Sequence, residues 1–147
     1  MLHEPAVVSP REPWKVTFTV GQVFIGCLLS AVFFMGLIYL YLAFAVPDEV
    51  YAGIGSGANA AQLTLNFGGF ACVIFLILGP TFAFGLGRLL RKEADQSKHV
   101  LAFAGTGAAV GFGLGMFFGW DLAFVLGPTM GTAVGLSRMI MSRFALV

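Results

Sequence analysis

Four long stretches of the chain carry no Asp, Glu, Lys or Arg: residues 16–46, about 64–87, 100–120 and 122–137, the last continuing past Arg138 to 141. Within them the apolar positions run on without alternating, as a helix in lipid requires and a barrel wall does not. About 20 apolar residues cross a hydrocarbon core of roughly 30 Å. The chain therefore reads as an all-α integral membrane protein, a bundle of four transmembrane helices over about 16–46, 64–87, 100–120 and 122–141. The first stretch is long enough to tilt or to project beyond the bilayer. Ala43-Phe44-Ala45 has the look of a signal-peptidase site. The apolar run before it far exceeds the roughly 7–15 residues of a signal sequence, so the first span reads as uncleaved. Residues 1–15, with Pro5, Pro10 and Pro13 and no apolar period, read as an irregular arm; 16–147 read as one transmembrane domain.

The polar positions supply orientation. An even number of spans puts both termini on one side, and all eight basic residues then share that side. They are Arg11, Lys15, Arg88, Arg91, Lys92, Lys98, Arg138 and Arg143, against Asp48, Glu49 and Asp121 opposite. That asymmetry predicts an N-in, C-in topology in the cytoplasmic membrane. Trp14 at one boundary and Tyr39, Tyr41, Tyr51 and Trp120 near the other fit the aromatic belts. The outer loop 47–63, with Gly53, Gly55 and Gly57, reads as a flexible linker or short interfacial segment, and 91–99 as a solvated turn. Only one or two residues near Trp120-Asp121 separate the last two spans, which predicts a tight antiparallel hairpin with Asp121 capping the fourth helix.

Small residues follow a period of their own. Gly107, Gly111, Gly115 and Gly119 recur every four residues in the third span, and Gly127, Gly131 and Gly135 in the fourth, extended by Ala123. Spaced this way they share a helix face and let two backbones approach, so spans 3 and 4 are expected to form a glycine-zipper hairpin. Gly79, Ala83 and Gly87 repeat the pattern more weakly in the second span. The first span carries Phe18, Phe24, Phe33, Phe34 and Phe44 instead, suited to lipid or to a partner's large side chains. A second echo pairs Leu78-Gly79-Pro80-Thr81 with Leu126-Gly127-Pro128-Thr129. The prolines lie eight and ten residues before Arg88 and Arg138, about 12 and 15 Å from the basic boundary, near mid-membrane. Each removes a helix hydrogen bond, so both mark kinks, and Pro80, Thr81, Pro128 and Thr129 form the candidate mid-membrane site. The plainer alternative is that the kinks shape the bundle and each threonine bonds within its own helix.

Composition adds mainly exclusions. With 59% hydrophobic and 10% charged residues, mean hydropathy +0.93 and net charge +1, the chain is neither an ordinary soluble domain nor a nucleic-acid binder. No ionisable residue lies within a span between its boundary residues, whereas proton relays, pumps and voltage sensors normally carry one. His3 and His99, one in the arm and one at the inner edge, do not make a haem site, and Cys27 and Cys72 read as small apolar residues. No catalytic, cofactor-binding or metal-binding residue is therefore assigned, and no cofactor is expected. The expected partners are the lipid bilayer and other integral membrane subunits. The expected role is a non-catalytic accessory or stabilising subunit of a larger complex, of respiratory or transport machinery. The alternative is a small homo-oligomeric transporter or channel with its site at the Pro80 and Pro128 kinks.

Overall fold

The structure, a computed structural model, describes residues 19–144 apart from 56, 92 and 94. The arm expected over 1–15 lies outside the described residues. Among those described there are six helices and no strand: α1 (Val20–Ala45), α2 (Asp48–Ile54), α3 (Ala60–Ile77), α4 (Gly79–Leu89), α5 (Gln96–Met116) and α6 (Trp120–Phe144). Three of them, α1, α3 and α5, are long and apolar enough to cross a membrane. At 25 residues α6 matches them in length but not in composition, since it carries Asp121, Arg138 and Arg143 among glycines and threonines.

The helix starts follow local side-chain chemistry. Thr19 and Gln22 form a capping box: the Thr19 hydroxyl accepts from the Gln22 amide at 3.2 Å, and the Gln22 side chain accepts from the Thr19 amide at 3.1 Å. Each bond satisfies a backbone donor that the helix itself leaves orphaned. Asn59 caps α3 through the Gln62 amide, and Asp95 caps α5 through the Ser97 amide, both at 2.9 Å. Asp121 is the second residue of α6 and not its cap, because the helix starts at Trp120. Its charge still lies in the first turn, where the helix dipole favours an acid.

The second apolar stretch is helical on both sides of an interruption at Leu78. The Leu78 amide still donates to Ile74 at 2.8 Å, and its carbonyl still accepts from Phe82 at 3.1 Å. Pro80 has no N–H to offer Leu76, and this one missing rung separates α3 from α4. The outer loop is more ordered than its glycines suggest. It contains α2, whose buried Tyr51 donates its hydroxyl to the Leu42 carbonyl and ties the loop back onto α1. Glycine is needed next, where Gly55 and Gly57 take φ of 153° and 93°.

Packing centres on α6, which lies against α5 on one side and α1 on another; α1 also holds α3. Ala31, Phe34 and Ile38 of α1, Ala71 and Phe75 of α3, and Met130 and Ala133 of α6 form the shared core. The Phe34 and Phe75 rings meet edge-on at 5.9 Å. By contrast α4 touches α1 and α5 only lightly and buries no residue fully. Ser137 of α6 donates to the Gly26 carbonyl of α1 at 2.7 Å, so the start of α1 and the end of α6 lie at the same end of the bundle.

Candidate functional site

The glycines of α5 and α6 set how closely the two helices approach. A Cβ on Gly115 would fall on the Ala123 backbone, and one on Gly111 on the Leu126 carbonyl. One on Gly107 would lie 2.9 Å from a Val134 methyl and 3.0 Å from the Met130 carbonyl. From the other side, Gly127 lies under the Phe112 ring, and a Cβ on Gly131 would lie 2.9 Å from the Ala104 carbonyl. Gly135 is looser, its Cβ position 3.1 Å from that of Ala104. Gly119 belongs to the turn: its φ is 130°, and nothing lies within 4 Å of its Cβ position. The four-residue period therefore runs on past the helix, where the same residue type answers a backbone need.

The repeated tetrapeptide has two different outcomes. Leu78-Gly79-Pro80-Thr81 straddles the α3–α4 interruption, whereas Leu126-Gly127-Pro128-Thr129 lies inside the unbroken α6. There the Thr129 hydroxyl donates to the Val125 carbonyl at 2.7 Å and reaches Leu126 at 3.1 Å, bridging within its own helix. Thr81 is exposed, as is Pro128. Pro80, Thr81, Pro128 and Thr129 line neither of the two principal cavities.

One of those cavities, about 110 Å³, lies among α1, the end of α3, α4, α5 and α6. Its wall is almost wholly apolar, from Phe75 and Met130 at the deep end to Phe103 and Leu86 nearer the helix ends. Gly79 allows the approach of α4, because a Cβ there would lie 2.7 Å from the Cys27 sulfur. Gln22, Ser137 and Arg138 lie toward the end of the bundle where α1 starts, and among the described residues Arg138 is the only charged side chain in the wall. Arg138 is 5% exposed, its guanidinium carbon 5.7 Å from the Phe103 ring centroid. A second cavity, about 300 Å³ and equally apolar, opens between α3 and the α5–α6 turn.

His99 is buried too, at 1% exposure, with Nε2 2.9 Å from the Glu93 carbonyl. It anchors the α4–α5 connection where the sequence suggested an interfacial residue. In the same connection Lys98 donates to Glu93 at 2.9 Å. That bond, helped by the Asp95 amide, holds the Glu93 carboxyl below the usual glutamate range. A depressed carboxyl stabilises the loop above its unfolded value and loses that contribution as pH falls through its folded one. Titration of Glu93 by carboxyl NMR should therefore give a midpoint below the reference of about 4.3; one at or above it would mean that the Lys98 contact does not persist in solution.

Among the described residues no group of three or more His, Cys, Asp and Glu side chains is placed to hold a metal ion. The outer faces are covered by large apolar side chains, among them Phe24, Ile25, Leu28 and Val32 of α1 and Leu65 and Phe70 of α3. So much apolar surface suits contact with a lipid bilayer. The fold thus defines a class: a multi-pass helical membrane protein. No protein-family model matches the chain, and comparison with curated proteins and with solved structures returns no match.

Proposed function

We propose that this chain is a non-catalytic accessory subunit that packs within a larger complex of the cytoplasmic membrane, in respiratory or transport machinery. It spans the bilayer four times, with α3 and α4 together forming the second crossing and α6 the fourth. Both termini lie in the cytoplasm, on the side of the basic residues. The glycine faces of α5 and α6 act as a zipper that makes the hairpin a rigid unit. The observation that carries this reading is the division of surfaces. Small residues lie between α5 and α6, whereas the outer face of α1 offers Phe24, Ile25, Leu28 and Val32. A helix of that kind suits a partner with large side chains, and the hairpin behind it needs no partner for its glycines. The competing reading, a homo-oligomeric channel at the proline kinks, has less support, because the Thr129 hydroxyl is engaged by its own helix.

A photo-crosslinking residue at Leu28 or Val32 tests the assignment in native membranes. One discrete adduct with a different membrane protein is expected from both positions. Adducts with a second copy of this chain would favour the homo-oligomeric reading, and adducts with lipid alone would remove the accessory-subunit proposal.

A further inference from the structure

We propose that the cavity among α1, the end of α3, α4, α5 and α6 is a dry binding site for one small apolar molecule drawn from the bilayer, the size of a xenon atom or a hydrocarbon of a few carbons. The inference is independent of the subunit assignment. Volume is the first argument. An apolar cavity of about 150 Å³ in a protein interior stays empty of water and takes up benzene or xenon. This one, at about 110 Å³, has room for a guest a little smaller than that ring and none for a fused pair of rings. Side chains around such a space lack the dispersion contacts of a close-packed interior, and a guest restores them.

The chemistry of the wall is the second argument. A buried water needs about two to four polar partners. Among the described residues the hydroxyls in the wall belong to Ser30, Thr106 and Ser137, and each donates to a helix carbonyl. Ser30 and Ser137 bond Gly26 at 2.8 and 2.7 Å, and Thr106 bonds Ala102 at 2.9 Å. The Gln22 side-chain oxygen accepts from the Thr19 amide at 3.1 Å. Deeper in the wall Phe75, Val110, Met130 and Val134 present only apolar side chains. An apolar guest asks for no polar partner and leaves all of these bonds in place. Nothing is asked of Arg138, whose guanidinium carbon lies 5.7 Å from the Phe103 ring centroid. Access is the third argument. The cover over the cavity is α4, which buries no residue fully and touches α1 and α5 only lightly. The rung missing at Pro80 loosens its tie to α3. This is the side of the wall that can yield. Its exposed Phe84 and Leu89 face the hydrocarbon, where small apolar solutes concentrate.

The test uses the full chain in neutral detergent micelles, with isotope-labelled methionine methyls followed by NMR as dissolved xenon is added. Met130 and Met141 line the cavity, whereas Met116 and Met139 are 46% and 45% exposed. Xenon should shift the Met130 and Met141 methyl signals along a saturating curve. The Met116 and Met139 signals should only drift in proportion to the xenon dissolved in the micelle. A83F, which places a ring in the cavity, should abolish the saturating shift and leave the proportional drift. Naphthalene, apolar but too large, should give only proportional drift in the unaltered chain, and this size limit carries the test if A83F does not fold. Proportional drift at all of these methyls under xenon would overturn the proposal. So would a saturating shift that A83F leaves unchanged or that naphthalene reproduces. A nuclear Overhauser effect from water to the Met130 methyl in the absence of xenon would also overturn it, because the cavity would then be wet.

Discussion

Replacing Gly115 with valine should unfold the α5–α6 hairpin or cost it at least about 3 kcal/mol, the upper range for an overpacked site. The side chain has nowhere to go. Its Cβ alone would coincide with the Ala123 backbone and lie 2.9 Å from the Leu122 carbonyl carbon. Backbone cannot turn aside as the tip of a flexible side chain can, so the helices must separate. Separation then removes the contacts of Gly111 and Gly107 along the same seam. Gly113 supplies the control. It lies two residues away on the opposite face with nothing within 4 Å, so Gly113→Val should change stability little. Reversible denaturation of the two variants in mixed micelles measures the difference. Equal stability would mean that the seam does not hold the hairpin together.

Phe34→Ala should be the most damaging single truncation in α1. Phe34 is 2% exposed, meets Phe75 edge-on at 5.9 Å, and forms part of the core shared by three helices. In water such a truncation costs about 3–5 kcal/mol, combining lost transfer energy with the cavity left behind. In lipid the transfer part shrinks, because hydrocarbon tails are as apolar as the protein interior, while the lost packing remains. A cost of about 2–3 kcal/mol follows. The lower wall of the second cavity would open further, since Phe34 lines it. Phe24→Ala, on the exposed side of the same helix, should cost far less. If the two variants melt together, α1 is not packed through its Phe34 face.

The sequence reveals the helices because lipid demands long apolar runs, and the tight turn after α5 because so few residues separate the two runs. It also reveals the seam, since Gly107, Gly111 and Gly115 leave little else for that face to do. It does not disclose the burial of His99 and Arg138. Both look like boundary charges, yet each extends a glycine stripe: His99 stands eight residues before Gly107, and Arg138 three after Gly135. Residues in helical register with a packed face are packed as well, whatever their polarity. That register was the available signal. The tetrapeptide echo misleads for a different reason. Whether Gly-Pro interrupts a helix depends on what surrounds it, and Leu126-Gly127-Pro128-Thr129 has Phe112 against Gly127 and a hydroxyl bridge from Thr129.

The bond from Ser137 to the Gly26 carbonyl joins residues 111 positions apart. Translation at about 5–20 residues per second puts roughly 6–22 s between the two ends of that bond. During that interval α1 exists without the helix that will cover it. Ser30 already donates to the same carbonyl at 2.8 Å, so the oxygen has a partner within its own helix while it waits. The α5–α6 hairpin, by contrast, can close as soon as it is made. The α1–α3 contact, Phe34 against Phe75, can form before α6 is made, so α6 closes onto α1 last, at a carbonyl that Ser30 already bonds.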